Sequence, residues 1–135
     1  MRPTRAVYDA SVVVRALIDN APDAVAWIQS LRDGKVRVVA PDLIYAEVAN
    51  ACLEDVRAGE LTLADAIDSL VAVSAFPLET RESRVLCGFA LPVAVDAGLT
   101  AYDAHYLALA EAEDAVLVTA DRALAAAARS SVLLE

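Results

Sequence analysis

The 135-residue chain has one histidine, one lysine and two cysteines, and each scarcity removes a class of chemistry. Cys52 and Cys87 stand alone, with no Cys-x-x-Cys spacing and no histidine beside them. Neither a zinc site nor a disulfide framework follows from such a pair, and two buried thiols are expected. His105 has no second histidine to join it, and two residues on from Asp103 in a helix it faces away from that carboxylate. Long apolar runs are missing too. The richest stretch, residues 85–95, contains Gly88 and Pro92 and falls well short of the ~20 residues a membrane-spanning helix needs. The basic start is interrupted by Asp9 before the apolar core of a signal peptide could form, so a cytoplasmic protein without a membrane partner is expected. Ten of the 11 basic residues are arginines, scattered from Arg2 to Arg129 without forming a patch. Aromatic residues make up 5% and are not interleaved with the arginines. No base-stacking platform is therefore legible, and Trp27, Phe76, Phe89 and the tyrosines are expected mostly in the core or at an interface.

What is abundant is apolar and acidic. Hydrophobic residues are 59% of the chain and the mean hydropathy is +0.50, more than a lone domain of this size requires, so part of the surface is expected to meet a partner. The net charge of −9 argues against general phosphate neutralisation. A nucleic-acid substrate would have to be drawn by metal ions and a few local arginines.

The length suits one domain, residues 1–135. Along it strands and helices alternate without repeats or low-complexity linkers, which predicts an α/β fold: a three-layer α/β/α sandwich around a central, mostly parallel sheet. Strands are predicted at residues 6–8, 35–40, 76–78, 116–119 and 132–134. Helices are predicted at 11–19, at 22–33, from Pro41-Asp42 to Gly59, at 62–74, at 80–95 with a disturbance near Gly88 and Pro92, at 100–113 and at 121–128. Thr62 to Asp65 and Thr100 to Asp103 both have capping-box spacing.

Four acids fall at the ends or starts of these elements. Asp9 and Asp121 leave the carboxyl ends of strands, the edge where open α/β sheets bind ligands. Asp103 takes the third position of a helix, and Glu47 lies inside another, bordering the face of Leu43, Ile44, Val48 and Ala51. Each has a plain structural role available: Asp9 and Asp121 as helix-start residues, Asp103 as part of a capping box, Glu47 in a polar stripe with Asn50 and Glu54. Gathered in one cleft, the four would repel one another unless cations were bound. Oxygen donors without imidazole or thiolate suit Mg²⁺ or Mn²⁺. Arg15 and Arg122 are read as surface residues with phosphate contact as the alternative.

The segments Val7 to Ser11, Pro41 to Asn50, Leu99 to Ala110 and Val118 to Leu124 resemble the VapC toxins of the PIN-domain ribonuclease family, in family order and spacing. The resemblance implies a divalent-metal-dependent endoribonuclease, the toxin of a toxin-antitoxin pair. Such a protein is usually dimeric, is inhibited by a cognate antitoxin, and cleaves RNA by in-line attack of water without a protein nucleophile. By that likeness Asp9, Glu47, Asp103 and Asp121 are the catalytic and metal-binding acids, and Ser11, Asn50 and Thr119 support them. Some relatives carry a further acid after the last aspartate. Here Arg122 follows, which leaves the second metal open. Two alternatives stand beside this reading: a non-catalytic PIN-like interaction subunit, and an acidic phospho-receiver domain, for which the chain lacks a late lysine.

Overall fold

The computed structural model describes residues 4–135; the basic start from Met1 to Pro3 lies outside them. Its centre is a five-stranded sheet made of β1 (Thr4–Tyr8), β2 (Val36–Pro41), β3 (Glu79–Arg81), β4 (Val116–Thr119) and β5 (Ser131–Leu133). The strand order is β3-β2-β1-β4-β5, and every pairing is parallel. The sheet expected to be mostly parallel is therefore wholly so. A parallel sheet has helices on both faces and asks for apolar residues at successive positions rather than at alternate ones. Ala6, Val7 and Tyr8 in β1 and Val38, Val39 and Ala40 in β2 meet that demand, since all six are inaccessible to solvent.

Among the described residues seven helices complete the layers: α1 (Ala10–Leu17), α2 (Pro22–Arg32), α3 (Ile44–Arg57), α4 (Leu63–Ser74), α5 (Ser83–Ala97), α6 (Ala101–Glu113) and α7 (Arg122–Ala127). Helix α6 packs against β1, β2 and β4 and buries every residue from Ala104 to Ala110. Against it lies α5, joined through Ala90, Ala94, Ala104 and Ala108, a seam of small side chains that lets the two helices approach closely. The capping residues act as read. Thr62 accepts from the Asp65 amide at 3.1 Å and Thr100 from the Asp103 amide at 3.1 Å.

Four local expectations are corrected. The third strand is the polar Glu79–Arg81, not residues 76–78. Phe76 instead sits buried in the turn after α4, its amide donating to Val73 at 3.1 Å, and apolarity there marks an anchor rather than a strand. Pro41 ends β2, and the next helix starts only at Ile44, because the Asp42 amide is drawn to the Arg81 carbonyl at 2.8 Å. That puts Glu47 in the first turn of α3, not in its interior. Helix α5 runs through Gly88 and Pro92 without a break. The carbonyl that Pro92 leaves without a donor belongs to Gly88, and both residues lie on the exposed face, where water can take the missing bond. Finally, Cys52 is buried as expected, whereas Cys87 is exposed.

Candidate metal centre

The strand order creates the site. From β1 the chain builds outward through β2 and β3, while β4 and β5 lie on the other side of β1. Between β1 and β4 the direction of winding reverses, and a crevice opens beyond the carboxyl ends of those two strands. The residues that follow them are Asp9 and the run Thr119 to Asp121.

Asp9 is 6% exposed and caps α1, accepting from the Ser11 amide at 3.1 Å and from the Ser11 hydroxyl. Its other oxygen, Oδ2, accepts from the Thr119 hydroxyl at 2.5 Å. Each of those hydroxyls in turn accepts from the loop after β4: Ser11 Oγ from the Ala120 amide at 2.9 Å, Thr119 Oγ1 from the Asp121 amide at 3.0 Å. Two hydroxyls thus lock the Asp9 carboxylate to the β4 end. A carboxylate offers about four lone-pair positions, and three are taken, which leaves one on Oδ2. Burial pushes the Asp9 carboxyl above its ordinary range. The three hydrogen bonds pull it back, and the charge of Asp103 adds to the rise.

Glu47 projects from the first turn of α3 and accepts a 2.6 Å hydrogen bond from the hydroxyl of Tyr106 on α6. Its carboxyl is also raised, first by burial and then by the charges of Asp103 and Asp9, with the Tyr106 hydroxyl opposing. Tyr106 is 1% exposed, and burial together with the neighbouring Glu47 keeps its phenol protonated. Sequence reading gave Tyr106 no role. It lies three residues beyond Asp103, so one helix face carries both, and that spacing was the available signal.

Asp103, half-buried in the first turn of α6, is raised by burial first and by the charge of Asp121 second. Asp121 caps α7 through Oδ1, which accepts from the Leu124 amide at 3.0 Å, and is otherwise exposed. The plain capping roles of Asp9 and Asp121 are therefore real, and they do not exhaust the oxygens of either side chain.

The charge of Asp103 raises the proton affinity of Asp9 and Glu47, that of Asp9 raises Glu47, and that of Asp121 raises Asp103. Among the described residues none of the four is in an ion pair. As the side chains stand, no three acidic, imidazole or thiol groups among the described residues come close enough to hold one ion. The donor set still has the chemistry a hard cation requires: carboxylate oxygens with unused lone pairs, no ion pair to a lysine or arginine among the described residues, and hydroxyls that orient the buried member.

The remaining candidates stand apart. Asn50 shares a groove with Glu47, but its amide donates to Glu54 at 3.4 Å rather than to any of the four acids. His105 is buried and fully partnered, bonded at Nδ1 to the Ala101 carbonyl at 2.5 Å and at Nε2 to the Ser83 hydroxyl at 3.0 Å. It is a structural histidine. Arg15 donates to the Glu135 carbonyl at 2.7 Å, and Arg122 is exposed beside Asp121. Lys35 precedes β2 and so lies at the amino edge of the sheet, opposite the acids, where no receiver-type lysine could serve them.

The chain matches the PIN domain family over residues 6–130. No curated protein matches it in sequence. Among solved structures it is similar to PAE2754 from Pyrobaculum aerophilum, with 30% identity and a TM-score of 0.75 over 96% of this chain and 90% of that one. It shares its fold with a chain of VapBC2 from Rickettsia felis bound to a DNA fragment from their promoter, at 13% identity and a TM-score of 0.69, covering 98% of this chain and 100% of the other. A chain of FitAcB from Neisseria gonorrhoeae is similar at 17% identity and a TM-score of 0.59, with 96% of each chain covered. The family match across nearly the whole sequence, together with an all-parallel sheet whose winding reverses at the acidic crevice, establishes that this chain belongs to the PIN-domain family.

Proposed function

We propose that this protein is a divalent-metal-dependent endoribonuclease, one PIN-like domain that acts in the cytoplasm as the toxin of a toxin-antitoxin pair. The observation that carries the reading is the acidic crevice: Asp9, Glu47 and Asp103 are all held above their ordinary carboxylate range, and among the described residues none of them is in an ion pair. Asp9, Glu47, Asp103 and Asp121 would hold Mg²⁺ or Mn²⁺. When bound, the metal supplies positive charge for the phosphodiester oxygens and lowers the pKa of water.

The protein's own groups do the positioning. The Ser11 and Thr119 hydroxyls fix Asp9, and the attacking group is water rather than a protein side chain. Tyr106 orients Glu47 from the opposite helix. Asp103 and Asp121, less buried, complete the rim and face the incoming RNA. The crevice repels phosphate until it is loaded, which agrees with a chain of net charge −9 that engages nucleic acid only with its metal.

The toxin assignment is supported by the VapC resemblance and by the fold shared with chains of VapBC2 and FitAcB. The surface provides room for a cognate antitoxin and a second copy. Helix α4 exposes Leu63, Ile67 and Val71 at four-residue spacing, and α5 exposes Val85, Phe89, Leu91 and Val95. Calorimetric titration with Mn²⁺ tests the reading for the wild type, Asp103→Asn and, as a control at the far edge of the sheet, Lys35→Ala. Binding lost in Asp103→Asn alone, together with Mn²⁺-dependent RNA cleavage by the wild type, is the expected result. Wild-type silence toward Mn²⁺ would instead point to a non-catalytic PIN-like subunit, the reading favoured by the separation of the carboxylates as they stand.

A further inference from the structure

We propose that the groove between α3 and the start of α6 is a nucleobase subsite, in which the ring of Tyr102 stacks on an unpaired RNA base next to the phosphate at the acidic crevice. The proposal rests on the nuclease reading above. Tyr102 occupies the first turn of α6 and is 66% exposed, a large aromatic surface left open to water. With Leu43, Ala46, Glu47 and Asn50 it lines a groove of about 420 Å³, within the size range of small-ligand sites.

Two features choose the occupant. The first is continuity. Glu47 forms one wall of the groove and is tied by a 2.6 Å hydrogen bond to Tyr106 on α6, the helix that also carries Asp103. Tyr102 directly precedes Asp103 in the same helical turn. A strand whose phosphate lies at the acids therefore presents its adjacent base to the groove. The second is charge. Among the described residues no lysine or arginine lines the groove, and Glu47 is acidic, so a phosphate or an acidic peptide is repelled, whereas a neutral, flat base is not. Leu43 and Ala46 offer apolar contact for its face. Asn50, whose one side-chain bond among the described residues is the long 3.4 Å contact to Glu54, carries both a donor and an acceptor for its edge. Stacking on a side chain requires the base to be unpaired, which points to single-stranded RNA or a loop.

The test uses the full chain with Mn²⁺ and a randomised single-stranded RNA pool, sequencing the cut ends for wild type, Tyr102→Phe, Tyr102→Ala and Asp103→Asn. Steady-state kinetics then follow on the best-cut RNA, with and without an abasic residue beside the cut. Loss of one stacked base predicts that Tyr102→Ala raises KM by roughly 5- to 100-fold with kcat nearly unchanged. It also flattens base preference next to the cut, while Mn²⁺ affinity stays that of the wild type. Tyr102→Phe keeps the wild-type KM, and the abasic RNA brings the wild type down to the level of Tyr102→Ala. Wild-type KM and base preference in Tyr102→Ala would overturn the subsite, as would a Tyr102→Phe enzyme as impaired as Tyr102→Ala. Normal cleavage by Tyr102→Ala with lost antitoxin inhibition would assign the groove to the protein partner instead. If the wild type and Asp103→Asn are equally silent or equally active on the pool, the nuclease reading itself fails and takes the subsite with it.

Discussion

Replacing Tyr106 by phenylalanine removes one oxygen from the core and tests whether the acidic crevice is a prepared site or a chance grouping. The hydroxyl donates to Glu47 at 2.6 Å from a side chain that is 1% exposed, and hydrogen bonds to a charged acceptor are worth about 1.5–3 kcal/mol. Glu47 is only half-buried, so water can replace part of the lost bond. The expected cost to folding therefore lies near the lower end, about 1–2 kcal/mol in urea denaturation. The larger effect falls on metal affinity, because partners that orient ligating carboxylates typically contribute about 10- to 100-fold. The sign on Glu47 also follows. The Tyr106 hydroxyl is the larger of two influences, with the charge of His105, that lower its pKa against burial and the charges of Asp103 and Asp9, so the variant protonates Glu47 at higher pH. Calorimetric Mn²⁺ titrations across pH should show the affinity falling about 10- to 100-fold at neutral pH and its midpoint moving upward. Wild-type affinity with an unmoved midpoint would refute the idea that Glu47 is a ligand held in place from α6.

Three further outcomes are expected. Thr119→Val leaves Asp9 Oδ2 and the Asp121 amide without their shared hydroxyl; chemical denaturation should show a loss of about 1–3 kcal/mol, against almost none for the exposed Thr80→Val. In EDTA, Asp9, Glu47 and Asp103 are raised above ordinary values of 3.8, 4.5 and 3.8, so the folded state keeps protons that the unfolded chain has lost. Their favourable contribution is complete below those ordinary values and disappears as pH rises through the raised ones; Asp103→Asn should accordingly raise the neutral-pH Tm by a few degrees in thermal melts, and an unchanged or lower Tm would contradict the unpaired crevice. Pro92→Ala restores a donor for the Gly88 carbonyl inside a continuous helix and should stabilise the protein by about 1–3 kcal/mol, measured by urea unfolding; destabilisation would mean that α5 is bent there in solution.

Much of this protein could be read without coordinates, because the informative signals are local. Ala6 to Tyr8 and Val116 to Val118 announce strands by unbroken apolarity, and Thr62 and Thr100 announce helix starts by the bond each accepts from an amide three residues on. Once strands and helices alternate, geometry sends Asp9 and Asp121 to the carboxyl edge of a parallel sheet. The third strand is not legible in the sequence because Glu79–Arg81 is held by pairing with β2 rather than by its own apolarity, and the nearby apolar signal belongs to Phe76, an anchor in the turn. Pro92 was read as a disturbance because the solvent exposure that lets a helix tolerate proline depends on what packs against it. The same division runs through the site. The chain by itself determined which residues are acidic and where each element ends, since caps and strand ends are set within a few residues of sequence. Only the tertiary structure decided that Thr119 clamps Asp9 across 110 residues, that Tyr106 reaches Glu47 from another helix, and that Tyr102 is left open beside them. Those contacts join segments far apart in the chain, and the order in which the strands assemble brings them together.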